Sequence, residues 1–299
     1  MRRARLRWAL LPALLFAAGC QSPSPAAEAP LPSTTTAAPS TAAPITSSTA
    51  ERPPAPVASA PRTAPASWWR PPAHTTWQYQ LSGSLDLTVP AQVYDVDGVE
   101  TSAAQVRQLH EAGRRVLCYV NAGAHEDWRP DASAFPRAVL GSPLDGWPGE
   151  RWLDIRRTDV LLPIMAARMD VCRAKGFDAV EPDNVDGYSN DTGFPLTAHD
   201  QVVYDTALAR LAHDRGMSVG LKNDTDQVSV LEASFDFAVN EECMVYDECD
   251  AYEPFLRAGK AVFHVEYQKP SARLCALVST LGVNTIFKGT DLEAPLRHC

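Results

Sequence analysis

From residue 67 onward, short apolar runs alternate with longer segments whose apolar residues recur at helical spacing. The short runs predict strands over Trp77–Leu81, Ala91–Tyr94, Val116–Val120, Ala179–Glu181, Ser218–Leu221, Phe237–Asn240, Ala261–Val265 and Thr285–Phe287. Helices are predicted over 101–112, 158–175, 198–215, 225–233, 250–258 and 271–281. Gly113, Gly176, Gly216 and Gly259 each stand between a helical segment and a strand, the place of a left-handed C-terminal cap. A repeated helix–glycine–strand unit is the signature of βα repeats on a parallel sheet. Eight such strands in about 230 residues predict an α/β fold, a single closed (β/α)₈ TIM barrel over residues 67–299. An open doubly wound sheet is the alternative, but no glycine-rich turn follows the first strand. No GxxxxGK[ST] string occurs either, so no nucleotide cofactor is expected.

The first 66 residues follow other rules. Arg2, Arg3, Arg5 and Arg7 precede an apolar run from Trp8 to Ala18, which is short for a bilayer span and has the flanks of a signal peptide. Small residues then lead into Cys20, as in the lipobox of bacterial lipoproteins, so residues 1–19 are expected to be a lipoprotein-type leader and Cys20 a lipidation site. In residues 21–66, 38 of 46 positions are Ala, Pro, Ser or Thr, a composition that cannot bury a core. Residues 20–66 are therefore expected to be a disordered tether that holds a head on the cell envelope, or on a secreted chain if Cys20 stays unmodified.

That division changes the charge arithmetic. The whole chain has a formal net charge of −9, and loss of the four leader arginines takes the remainder to −13. The linker is neutral, with Glu28 and Glu51 against Arg52 and Arg62, so the excess acid lies in the head. This argues against a nucleic-acid partner, which needs a basic footprint.

Six cysteines remain beyond Cys20: Cys118, Cys172, Cys243, Cys249, Cys275 and Cys299. An even set in an exported chain favours disulfides over metal ligation, with fifteen conceivable connectivities. Locality favours Cys243–Cys249 and Cys275–Cys299, leaving Cys118 and Cys172 to each other. No CxxC pair has zinc spacing, so no structural metal is expected.

Polar residues collect where the predicted strands end: Tyr94-Asp95-Val96-Asp97, Tyr119-Val120-Asn121, Glu181-Pro182-Asp183-Asn184-Val185-Asp186-Gly187-Tyr188, Lys222-Asn223, Asn240-Glu241-Glu242 and Glu266-Tyr267. Any one of these Asp or Asn residues is readily explained as a helix cap. Six strands ending alike predict a polar cleft at the C-terminal face of the barrel. The cleft has carboxylates but no GxSxG nucleophile elbow. Asp183, Asp186 and Glu241 lack the close spacing of a calcium loop. Paired carboxylates without metal are the equipment of glycoside hydrolysis, and nearby tyrosines would offer flat faces to sugar rings.

Trp-Gln-Tyr-Gln-Leu-Ser-Gly (77–83), Tyr-Asp-Val-Asp-Gly (94–98), Cys-Tyr-Val-Asn-Ala-Gly (118–123), Gly-Phe-Asp-Ala-Val-Glu-Pro-Asp-Asn-Val-Asp (176–186), Gly-Leu-Lys-Asn (220–223) and Asn-Glu-Glu-Cys (240–243) together resemble glycoside hydrolase family 114, the endo-α-1,4-polygalactosaminidases and their relatives. The resemblance implies a (β/α)₈ barrel, no cofactor, and a cationic or partly N-acetylated galactosamine polymer as substrate. It implies Asp183 as nucleophile and Glu241 as acid/base of a retaining mechanism. Asp95, Asp97, Tyr119, Asn121, Asn184, Asp186, Tyr188, Lys222, Asn223, Glu242, Glu266 and Tyr267 are carried over as substrate-binding residues. Glu242 rivals Glu241, and strand alternation predicts that only one of them faces the cleft. Where many relatives have Asp, this chain has Glu181. The competing reading is a membrane-tethered glycan-binding protein with the same barrel and no turnover; a monomer is expected in either case.

Overall fold

The computed structural model describes residues 68–299; the leader, Cys20 and the linker expected over residues 1–66 lie outside the described residues. Strands β1 (Trp77–Gln80) and β2 (Val93–Asp97) lead to helix α1 (Ala103–Glu111) and strand β3 (Arg115–Asn121). An insertion follows, with β4 (Ala124–Glu126), β5 (Leu140–Pro143) and β6 (Glu150–Leu153). The βα alternation resumes with α2 (Thr158–Lys175), β7 (Ala179–Asp183), α3 (Ala198–Asp214), β8 (Ser218–Lys222), α4 (Val228–Leu231) and β9 (Phe237–Glu241). Last come α5 (Cys243–Tyr246), α6 (Glu253–Arg257), β10 (Val262–Glu266), α7 (Ala272–Leu281) and β11 (Asn284–Phe287).

Eight strands pair in parallel in the order β1-β2-β3-β7-β8-β9-β10-β11, and each coincides with a strand expected from the sequence. Gly113, Gly176, Gly216 and Gly259 take φ of 76°, 95°, 68° and 69°, the left-handed caps that the helix–glycine–strand pattern requires. The barrel differs from full closure at one seam. No described ladder joins β11 back to β1. Side chains bridge the gap instead: Trp77 Nε1 donates to the Asn284 carbonyl at 2.7 Å, and Lys288 Nζ donates to Gln78 Oε1 at 3.0 Å.

Strand alternation sorts the apolar residues into two cores. Trp77, Val93, Leu117, Ala179, Phe237 and Phe263 point into the barrel, while Tyr94, Val116, Val180, Val219 and Ala238 point out against the helices. The barrel interior is thus packed from its base, and only its C-terminal end is left for polar side chains. β4, β6 and β5 form a separate antiparallel sheet after β3, which the sequence pattern did not reveal.

Three disulfides join Cys118–Cys172, Cys243–Cys249 and Cys275–Cys299, the pairing that locality favours. Cys118 and Cys172 are buried beneath Gly98, where a Cβ would lie 2.3 Å from Cys118 Sγ, whereas Cys299 is exposed. Reductant should therefore open Cys275–Cys299 under native conditions before Cys118–Cys172. Graded reduction, alkylation and mass mapping checks this: Cys275 and Cys299 are expected to be labelled while Cys118 and Cys172 stay protected until the chain unfolds.

Candidate active site

The inward side of the last strand residues sets the site. On β7, Ala179, Glu181 and Asp183 share one face; on β8, Gly220 and Lys222; on β9, Phe237, Val239 and Glu241. Registers place Tyr119 opposite Glu181 and Lys222 opposite Val239, so these chains meet over the apolar floor.

Lys222 is at the centre. Its Nζ lies 3.0 Å from Glu181 Oε1, 2.9 Å from Asp183 Oδ1 and 3.4 Å from Glu241 Oε2. It also donates to the Tyr79 hydroxyl at 3.1 Å, and that hydroxyl donates to Glu181 Oε1 at 3.2 Å. Burial alone would discharge an ammonium; the three carboxylates outweigh it and hold Lys222 well above the ordinary lysine value.

The carboxylates respond differently. Burial raises Asp183, but Lys222 and hydrogen bonds from Lys222 and Tyr119 outweigh it, so its carboxyl sits below the ordinary range. Tyr119 donates to Asp183 Oδ2 at 2.8 Å and Asn184 Nδ2 donates at 3.2 Å. Glu181 is fully buried and is pushed up to about 7 by burial against the pull of Lys222, with Asp183 adding to the rise. Asp95 is buried beside it, and burial followed by the Glu181 charge drives it well above the carboxylate range. Glu241 accepts from the Tyr267 hydroxyl through Oε1 and from Asn223 Nδ2 at 3.5 Å through Oε2. One ammonium touches both Asp183 and Glu241, so the two contacting oxygens are at most about 6.3 Å apart.

Each of these strands leaves the barrel through a left-handed residue: Asn184 (φ 60°), Asn223 (φ 50°) and Glu242 (φ 62°). Such geometry is tolerated by asparagine but costs most other side chains about 1 kcal/mol or more, so the cost falls chiefly on Glu242. It ends the alternation, so the last strand residue and its successor both turn to the cleft. Asp183 with Asn184, Lys222 with Asn223, and Glu241 with Glu242 all line it. The expectation that only one of Glu241 and Glu242 faces the cleft is corrected, because Glu242 lies beyond the strand. At the neighbouring strand end, the Ala122 and Gly123 amides both donate to the Asp183 carbonyl at 3.0 Å. A Cβ on Gly123 would fall 1.6 Å from the Asn184 carbonyl oxygen, so only glycine permits this approach.

The open cleft has a volume of about 670 Å³ and is lined by Asp97, Tyr119, Asp186 and Tyr267 as well as the three pairs. Four other candidates lie elsewhere. Asp95 sits in the barrel interior. Asn121 is buried and braces the rim, accepting from Asn184 Nδ2 at 3.0 Å and donating to Glu150 at 2.9 Å. Tyr188 packs near Asp224, whose carboxyl is pushed up to about 8 by burial and then by Asp186. Glu266 has the outward parity of Val262 on β10, accepting from the Met244 amide at 2.9 Å and Gln268 Nε2 at 2.9 Å. The cleft also takes in residues that sequence reasoning passed over, among them Glu126, Trp128, Arg129, Trp147 and Glu150. Pro148-Gly149 followed by the alternation Glu150-Arg151-Trp152-Leu153 was the available signal for a turn and strand there.

Among the described residues, the one close grouping of three metal-type side chains is Cys243, Cys249 and His264; the two sulfurs are bonded to each other, and His264 contacts Thr285 and Glu266. No described helix is long and apolar enough to cross a membrane.

Comparison with known proteins gives a consistent frame. Residues 58–299 match glycoside hydrolase family GH114. The crystal structure of Ega3 from Aspergillus fumigatus, in complex with galactosamine, superposes with a TM-score of 0.74 at 39% identity, covering 78% of this chain and 98% of that one. The glycoside hydrolase domain of PelA from Pseudomonas aeruginosa shares the fold, with a TM-score of 0.59 at 12% identity, 76% of this chain and 98% of that one. No curated protein sequence matches the chain.

Replacing Lys222 by Met should destabilise the fold by about 3–5 kcal/mol, because it leaves crowded, buried carboxylates without a counter-charge. The loss should shrink as pH is lowered and those carboxylates take up protons, and should be smaller in Lys222→Met/Glu181→Gln. Urea unfolding at pH 5 and pH 8 checks this; equal losses at both pH values would count against it.

Proposed function

Because the chain belongs to glycoside hydrolase family GH114, we propose that it hydrolyses α-1,4-linked galactosamine-containing polysaccharide, internally and with retention of configuration. The observation that carries the mechanism is the single ammonium shared by Asp183 and Glu241. A carboxylate pair in retaining enzymes is separated by about 5–5.5 Å, against about 6.5–9.5 Å in inverting ones, and the shared contact favours the shorter class.

Asp183, kept ionised by Lys222, attacks the anomeric carbon as the glycosidic C–O bond breaks. Glu241 delivers its proton to the leaving oxygen. The resulting glycosyl ester cancels the Asp183 charge, and Glu241, having given up its proton, is left as the carboxylate. Ionised Glu241 takes a proton from water, water attacks the anomeric carbon, and Asp183 leaves as carboxylate. By favouring ionised Asp183, Lys222 supports its attack as nucleophile and its departure as carboxylate.

The charge of the cleft supports a cationic polymer. Nine carboxylates and two cations line it. The open cleft has exposed aromatic residues on both sides of β7: Trp128 and Trp147 after β3, and Tyr246 after β9. That arrangement suits a chain lying across the scissile point, hence endo action. Galactosamine is the sugar bound to the related Ega3. The three disulfides suit an oxidising compartment, and the leader with Cys20 supplies export and an anchor.

Glu241→Gln is expected to lower turnover of partly deacetylated α-1,4-galactosamine polymer by about 10²–10⁴-fold, and Asp183→Asn by at least as much. The parent's activity on deacetylated polymer should fall as salt rises, with little change on fully N-acetylated polymer. Reducing-end release measures both. Polymer bound without cleavage by the parent, or full activity in Asp183→Asn, would overturn the reading.

A further inference from the structure

The β4–β6–β5 sheet is the one large departure from the βα repeat among the described residues, and it follows β3, the strand paired with β7, which carries Asp183. Trp128 and Trp147 leave it 52% and 56% exposed, and both line the same cleft as Asp183 and Glu241. Single exposed apolar residues are ordinary on protein surfaces. Here both indoles border the turn at 144–150, which backbone hydrogen bonds close. The Trp147 amide donates to the Leu144 carbonyl at 3.1 Å, the Glu150 amide to the Trp147 carbonyl at 3.1 Å, and the Asp127 amide to the Gly149 carbonyl at 3.1 Å. Gly149 has φ 93°, and a Cβ there would lie 2.8 Å from Trp128 Cζ3, so the Trp128 ring rests against the backbone that leads into Glu150.

Glu150 is itself buried to 7% exposure at the cleft wall, with Oε2 accepting from Asn121 Nδ2 at 2.9 Å. Its neighbour Glu126 is tied by Arg129 at 2.7 Å, and the same Arg129 nitrogen holds Asp97 at 2.7 Å. Arg129 is thus committed to two other carboxylates, and no described ion pair joins a cation to Glu150. Burial, then Glu126 and Asp183, push the Glu150 carboxyl up to about 7, so an arriving cation would be met by a group it can ionise.

We infer that the β4–β6–β5 sheet is a second carbohydrate subsite, apart from the cleaving carboxylates, that takes one amino-sugar unit of the polymer with its apolar ring face on the Trp128–Trp147 platform and its ammonium at Glu150. The inference rests on the reading of the protein as a galactosamine-polymer hydrolase. Indole faces suit the C–H side of a pyranose. A carboxylate in a low-dielectric wall discriminates an ammonium from an acetamide, which carries no charge.

Trp128→Ala, Trp147→Ala, Trp128→Phe and Glu150→Gln test it by steady-state kinetics, with thermal melting as the folding check. On long, largely deacetylated polymer, both alanine variants should raise KM by about tenfold with kcat within about twofold. Trp128→Phe, which keeps a flat face, should stay near the parent. Glu150→Gln should raise KM on deacetylated polymer and leave KM on N-acetylated polymer unchanged. Parental KM on polymer for the alanine variants and Glu150→Gln would overturn the subsite. If the parent cleaves no galactosamine polymer, the functional reading fails separately; retention of the same variants in polymer-containing gels then decides the subsite, weaker retention supporting it and parental retention overturning it.

Discussion

The structure depends on one buried ammonium. Three carboxylates, Glu181, Asp183 and Glu241, converge at the C-terminal end of the barrel within reach of Lys222 Nζ. Without a cation, carboxylates so crowded could not all ionise; like charges at this distance force protonation. One positive charge is not enough for all of them. The surplus is absorbed by proton uptake at the two most buried groups, Glu181 and Asp95, which burial raises. Asp183, hydrogen-bonded by Lys222 and Tyr119, is held ionised. The site thus separates a charged carboxylate from proton-bearing ones a few ångströms away.

Backbone geometry supports this electrostatic arrangement. The barrel floor of Trp77, Phe237 and Phe263 fixes strand parity, and parity aims Asp183, Lys222 and Glu241 into one space. The left-handed exits at Asn184, Asn223 and Glu242 then turn a second residue from each strand to the same cleft. Three consecutive strand ends thus share one left-handed exit, and the residues on either side of it line the cleft.

Much of this was legible in the sequence. Short apolar runs marked all eight barrel strands, and glycine caps at Gly113, Gly176, Gly216 and Gly259 marked the entry to four of them, because a left-handed cap is a local backbone requirement. Polar strand ends marked Asp183, Lys222 and Glu241. Parity alone could also have set Glu266 apart, since it shares the outward face of β10 with Val262. What stayed hidden depends on geometry that no period encodes. Asp95 and Asp97 look alike in sequence, yet one lies inside the barrel and the other at the rim. The seam between β1 and β11 rests on side chains, and the strands of the inserted sheet are only three or four residues long, interrupted by Pro143 and by the turn at Gly149. The left-handed state of Glu242 arises where the chain turns from β9 into the Cys243–Cys249 loop, which strand alternation cannot foresee.

In the proposed double displacement, Lys222 couples Asp183 and Glu241 into a nucleophile and an acid/base separated by a retaining distance. Proton NMR of the anomeric signals during the first minutes of hydrolysis tests it most directly. Double displacement releases the new reducing ends first as the α-anomer, and they equilibrate only later by mutarotation. First appearance of the β-anomer would mean a single displacement by water, and would contradict it.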